Sequence, residues 1–170
     1  REIGKPAAEA LGEVQEIIDT CDFFLGEGRR LYGQTVPSEM PDKQLFTFRM
    51  PLGVAAIITA GNFPVAVPAW SLVPAILCGN AVVWKPAEYS GACGDALARM
   101  FHAGGVPAGV LQVVQGDGMV GDAVVRSGVD KVIFTGSARV KPSPGSRACR
   151  RGSSSPSTRS ARTCGALRTK

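Results

Sequence analysis

Val54-Ala55-Ala56-Ile57-Ile58-Thr59-Ala60-Gly61-Asn62-Phe63-Pro64 joins an apolar run to a short polar loop. A strand with water on one face alternates apolar and polar residues, whereas a strand buried on both faces reads as a continuous apolar run. Residues 54–59 are of the second kind. Residues 65–78 are also apolar but too long for one strand, and Gly79-Asn80 stops them. They read as a buried helix, with Pro64 suiting its first turn and Pro68 and Pro74 distorting later turns. The same alternation then repeats. Residues 81–85 form a second strand, 90–103 a helix with Leu97, Met100 and Phe101 inward, and 110–114 a third strand. Residues 119–126 form a short helix and 132–134 a fourth strand. Strands alternating with helices at these lengths predict right-handed crossovers and a parallel sheet covered on both faces. The fold class is α/β, a partial Rossmann-like parallel sheet with flanking helices.

Upstream, residues 7–32 read as a long helix. Leu11, Val14, Ile18, Cys21 and Leu25 recur at three- and four-residue steps and predict one apolar stripe. Phe46 and Phe48 flank Thr47 in a short alternating run, an exposed strand or hairpin arm. Trp70 and Trp84 are assigned to the core, Arg29, Arg30 and Lys43 to a solvated face, and His102 to the surface or its margin.

Near residue 140 the chain changes character. Residues 1–139 hold all 14 acidic residues and 11 of the 19 Lys and Arg, a net charge of −3. Residues 141–170 carry the other eight basic residues, no acid, no aromatic and one large aliphatic, Leu167. Such a segment buries too little apolar surface to offset its ordering entropy and is expected to be a disordered tail. The chain opens on Arg1 rather than Met, as a piece of a longer product does. No run of about 18 apolar residues exists, which speaks against a membrane span. The five cysteines form no zinc spacing, and with one His a metal site is not expected. Scattered cysteines without a secretion signal predict a reducing, cytoplasmic setting.

In such a sheet, ligands bind in the loops at the carboxyl ends of the strands. That rule selects four places. In the first loop, Asn62 can donate an uncharged amide N–H to an oxyanion, or can act as a turn-former or helix cap ahead of Pro64. In the second, Lys85 and Glu88 can together bind the two hydroxyls of a ribose, with Glu88 repelling a 2′-phosphate; a solvated ion pair is the alternative. In the third, Gly116, Gly118 and Gly121 match a GxGxxG string, though after the third strand rather than the first; tight turning and close helix packing explain them equally. In the fourth, Gly136-Ser137 can open a helix whose N–H groups hold a pyrophosphate, or Ser137 can be a simple N-cap.

Taken in order, several strings resemble the aldehyde dehydrogenase superfamily over residues 1–140. They are Glu9-Ala10 with Gly12-Glu13, Pro51-Leu52-Gly53-Val54, Asn62-Phe63-Pro64, Pro74-Ala75, Cys78-Gly79-Asn80, Lys85-Pro86-Ala87-Glu88, Gly105-Val106-Pro107 and Phe134-Thr135-Gly136-Ser137. The resemblance covers roughly a third of a typical member. It implies an NAD(P)-dependent oxidation of an aldehyde to a carboxylic acid, with a cysteine thiolate attacking the aldehyde, hydride passing to NAD and water releasing the acid. Position by position, it implies that Asn62 supplies the side-chain half of an oxyanion hole and that Ile58, Thr59 and Ala60 line a cofactor cleft. Lys85 and Glu88 would hold the adenosine ribose, favouring NAD over NADP. Gly118 and Gly121 would lie by the adenine, and Gly136 and Ser137 would begin the pyrophosphate helix. Residues 38–52 would belong to an oligomerisation arm of a homo-oligomeric enzyme.

The sequence also departs from the family pattern. A glycine is expected where Lys141 stands, and Pro142-Ser143-Pro144-Gly145 would break the helix within its first turns. No string matches the family's general-base glutamate or nucleophilic cysteine, and none of the five cysteines is assigned a catalytic role. Residues 141–170 carry the Arg, Ala, Gly, Pro and Ser bias of GC-rich codons read out of frame, and the tail is expected to be a frameshift product. The chain is therefore expected to be a catalytically inactive fragment of such an enzyme. Two other readings compete: a stand-alone weak dinucleotide-binding module, and nonspecific anion or nucleic-acid binding by the basic tail, which lacks an aromatic for base stacking.

Overall fold

A computed structural model describes residues 2–136; Ser137 and the 141–170 tail lie outside them. The chain begins with helix α1 (Ala7–Gly28) and a two-stranded antiparallel ribbon, β1 (Thr35–Val36) and β2 (Leu45–Phe46). Then come β3 (Val54–Ile58), α2 (Ala66–Leu77), β4 (Ala81–Lys85), a single 3-10 turn (Glu88–Ser90), α3 (Gly91–Ala103), β5 (Leu111–Val113), α4 (Gly118–Arg126) and β6 (Lys131–Phe134). β3, β4, β5 and β6 form one parallel sheet in the order β5-β4-β3-β6. The expected parallel α/β sheet is present.

The strand order explains where the helices lie. From β3 the chain steps to β4 and then β5 in one direction, and afterwards crosses back to the far side of β3. Right-handed crossovers put α2 and α3 on one face and α4 on the other. The packing agrees. Ile57, Val82, Trp84 and Leu111 point to one face and pack with Leu72 and Ala75 of α2 and Leu97 and Ala98 of α3. Ala56 and Val132 point to the other face and pack with Val124 of α4. Each fully buried side chain of the Leu or Ile type contributes about 2 kcal/mol by leaving water, so both faces of β3 are sites of strong restraint. Two turns set the strand entries. Asn80 Oδ1 accepts from the Leu52 and Gly53 amides (2.6 and 3.2 Å), and Asp130 Oδ2 accepts from Val54 N (2.9 Å). Gly53 has φ +123°, and a Cβ there would lie 2.2 Å from the Asp130 carboxylate, so only glycine fits.

Three expectations are corrected. The α1 stripe Leu11, Val14, Ile18 and Leu25 faces solvent, Leu11 being 70% exposed. The helix instead turns Glu13, Ile17 and Phe24 inward, because that side is the one that meets α2: Ile17 packs on the core, Gly28 lies against Leu77 and Glu13 accepts from the Ala66 amide. Trp70 is 47% exposed and Met100 60% exposed rather than core, since α2 and α3 bury Ala69, Leu72, Leu97 and Ala98 against the sheet and leave the opposite sides free. Trp84 is wholly buried, as expected. His102 is half-buried and its Nδ1 lies 2.9 Å from the Val106 carbonyl.

Candidate functional site

A reversal of strand order opens a crevice at the carboxyl ends of the strands on either side of it. Here the reversal lies between β3 and β6. A cleft of about 650 Å3 occupies that place. It is lined from β3 and its loop by Ile58, Thr59, Ala60 and Asn62, and from the end of β4 by Lys85 and Glu88. The start of α4 contributes Gly118 and Gly121, and the end of β6 contributes Gly136. Nine residues picked from the sequence are thus brought together. The tenth, Ser137, lies outside the described residues.

The floor of the cleft is rigid. Thr59 N donates to the Lys85 carbonyl (3.2 Å) and Thr135 N to the Ile58 carbonyl (2.9 Å), so the three strand ends are tied to one another. Beneath them, the indole N–H of Trp84 donates to Thr59 Oγ1 at 3.0 Å, fully buried. Lys85 ends β4 on the α4 face and is only 5% exposed. Its Nζ donates to the Pro86 carbonyl at 2.9 Å, and its stem runs beside Gly121, where an added Cβ would lie 3.4 Å from Lys85 Cδ. Burial holds the Lys85 ammonium below its ordinary value, while Glu88 and Asp117 pull it back up. A cation buried beside two carboxylates stays charged more readily than burial alone would allow, and it can offer N–H donors to hydroxyl oxygens.

The start of α4 decides between the readings of the glycine string. Asp117 caps the helix, its Oδ1 accepting from the Met119 and Val120 amides (2.9 and 3.3 Å). With its own carboxylate in place, this N-terminus is no seat for a phosphate, and the GxGxxG match is not an ordinary fingerprint. What the glycines provide is room and a turn. A Cβ at Gly118 would meet nothing within 4 Å, so the cleft stays open there, and one at Gly121 would make only ordinary contact with Lys85; Gly116, with φ +146° and Val120 2.4 Å from an added Cβ, is the one the turn requires. The other two helices at this edge are capped in the same way. Glu13 Oε2 accepts from Val65 N and Ala66 N at the start of α2 (both 3.2 Å). Glu2 accepts from Ala92 N and Cys93 N at the start of α3 (2.9 and 2.8 Å), which lowers the pKa of Glu2.

Asn62 does not cap α2: the N-cap position is Val65, and Glu13 supplies the carboxylate. Asn62 is exposed and lines the cleft, so its amide is available to a ligand. The described cysteines, Cys21, Cys78 and Cys93, do not line the cleft. Burial raises the thiol pKa of Cys21 and, with Glu2 adding to it, that of Cys93. This is the opposite of what a thiolate nucleophile needs.

The sequence reading missed Tyr89, Asp117, Asp122, Val125 and Phe134, which also line the cleft. Tyr89 covers Gly61, where a Cβ would lie 2.4 Å from the ring. The loop rule that found Glu88 could have found Tyr89 next to it and Asp117 between the glycines.

Comparison with known proteins agrees with this geometry. The sequence model of the aldehyde dehydrogenase family matches residues 1–151. Alpha-ketoglutaric semialdehyde dehydrogenase of Bacillus subtilis is 42% identical over 154 residues, 89% of this chain and 32% of that protein. The crystal structure of an NAD-dependent aldehyde dehydrogenase from Sinorhizobium meliloti superimposes with a TM-score of 0.77 at 38% identity, over 82% of this chain and 28% of that one. That of an E. coli NADP-dependent enzyme gives 0.71 at 40% identity, over 76% and 27%. The chain thus spans about a third or less of the relatives it matches.

Proposed function

The chain belongs to the aldehyde dehydrogenase family, and we propose that residues 2–136 are the coenzyme-binding part of an enzyme that oxidises an aldehyde with NAD. The observation that carries this reading is the convergence of Thr59, Asn62, Lys85, Glu88, Gly118 and Gly136 on one cleft at the strand-order reversal.

The residues present fit such a coenzyme. Lys85 donates and Glu88 accepts, so together they match the two hydroxyls of a ribose. A phosphate on either hydroxyl would face the Glu88 and Asp117 carboxylates, which favours NAD over NADP. The open space over Gly118 and the apolar wall of Ile58 and Val125 suit a flat base. Because the starts of α2, α3 and α4 are filled by carboxylates, the backbone around Gly136 is the place left for the pyrophosphate. NAD, when bound, supplies the hydride acceptor. Asn62 offers its amide N–H to the oxygen of the reacting carbonyl, where negative charge gathers. The described cysteines are unsuited to attack that carbonyl, so this part of the protein binds and orients and does not complete the reaction. The β1–β2 ribbon, with exposed Phe46 and Phe48 rings 6.1 Å apart, is the segment assigned to contact between copies.

Calorimetry on the chain with NAD and NADP at millimolar concentration tests the reading. NAD should bind in preference to NADP, and Glu88→Gln should narrow that preference. Absence of NAD binding, or equal affinity for both, overturns it.

A further inference from the structure

One buried ion pair, outside the cleft, grips the loop that carries Asn62 at its middle and at its α2 end. Lys5 Nζ pairs with Glu13 Oε1, donates to the Asn62 carbonyl at 3.1 Å and stands 3.7 Å from the centre of the Phe63 ring. Glu13 is 3% exposed, and its other oxygen accepts from the Val65 and Ala66 amides. Lys5 thus holds residues 62 and 63 while Glu13 holds residues 65 and 66. Neither side chain lines the cleft.

Stability alone gives a weak reason for this arrangement. Two desolvated charges cost about as much as their attraction returns, and apolar residues of similar volume often serve as well. What a charge pair adds is direction. The carboxylate is fixed by two amides at the positive end of α2, and the ammonium is fixed by a carbonyl and a ring face. The seven-residue stretch between β3 and α2 (59–65) is thereby left few alternative courses. We propose that Lys5 and Glu13 are positioning residues that set the Asn62 amide at the mouth of the cleft. This rests on the reading of Asn62 as a donor to the reacting oxygen.

The test uses the full chain labelled with 15N, with Lys5→Met, Glu13→Gln and Lys5→Arg variants. Lys5→Met removes the charge and keeps the stem. It should raise hydrogen exchange of the Val65 and Ala66 amides by about tenfold, the effect of losing one charged hydrogen bond. Exchange at Ile57 and Val83 in the sheet should stay within about twofold. Backbone 15N relaxation should show residues 62 and 63 gaining motion while residues 57 and 83 do not, which a merely global loss of stability would not produce. Lys5→Arg should restore the original relaxation at 62 and 63. If Lys5→Met fails to fold, Glu13→Gln, which keeps an acceptor for the amides, should show the same loosening at Asn62. Unchanged relaxation at residues 62 and 63, or a rise in exchange by the same factor throughout the sheet, overturns the proposal. Failure of NAD to bind the unaltered chain is a separate outcome: it removes the functional reading and leaves the loop measurements to stand by themselves.

Discussion

Thr59→Val is the sharpest probe of how the core supports the cleft. Threonine and valine have nearly the same shape, so the change opens no cavity. It removes the hydroxyl that accepts the Trp84 indole N–H at 3.0 Å, in a place where Trp84 is wholly buried and Thr59 is 5% exposed. A buried donor left without a partner costs about 1–3 kcal/mol, and relief from burying the hydroxyl returns a part of it. The net expectation is a loss of about 1.5 kcal/mol. With a urea slope of roughly 1.5–2 kcal/mol/M for a chain of this size, the midpoint should fall by close to ~1 M. Far-UV circular dichroism through a urea titration measures it. The decisive comparison is the same change in a Trp84→Phe background, which has no N–H to strand. There Thr59→Val should cost nothing, giving a coupling energy of at least ~1 kcal/mol between the two sites. An equal cost in both backgrounds would show that the hydrogen bond does not tie the Thr59 loop to the core, and the account of a rigid cleft floor would fail.

Burial lowers the Lys85 pKa from 10.5, so between its folded value and 10.5 the unfolded chain binds more protons than the folded one. Stability should therefore rise with pH through that window, and Lys85→Met should abolish the rise; parallel urea midpoints of the two proteins across alkaline pH would contradict this. Glu2 has its pKa lowered from 4.5 by the Ala92 and Cys93 amides, so its contribution is present above 4.5 and is lost as pH falls through the lowered value. Melting curves of the wild type and Glu2→Gln should differ near neutrality and converge in acid. Gly118→Val places its Cβ where nothing lies within 4 Å, so it should leave stability within about 0.5 kcal/mol. The added side chain would enter the space assigned to the base, so calorimetry should show NAD affinity falling by roughly tenfold or more; an unchanged affinity would place the base elsewhere.

The parallel sheet was legible because β3 is covered on both faces and its sequence shows this as an unbroken apolar run. The cleft was legible because the loops after such strands are where ligands sit, and nine of the ten chosen residues meet there. What sequence spacing could not convey was which side of a helix is covered. α1 has an apolar stripe through Leu11 and Ile18, yet it packs on the side containing Glu13, Ile17 and Gly28, where Gly28 lies against Leu77 of α2, and a count of apolar residues does not single out that side. α2 is apolar nearly all round, so no pattern singled out Trp70 as the exposed side. The caps from Glu2 and Glu13 were hidden for a similar reason: each carboxylate reaches a helix far away in sequence.

One of the helix caps, that of α4, has an effect on how a ligand arrives. Asp117 lines the cleft together with Glu88 and Asp122, three carboxylates against the one ammonium of Lys85 among the lining residues, so an incoming anion meets net repulsion before any contact forms. A dinucleotide carrying two phosphates has to cross that barrier, so added salt should hasten its capture. A site built on a basic face behaves in the reverse sense, losing its ligand as salt is added.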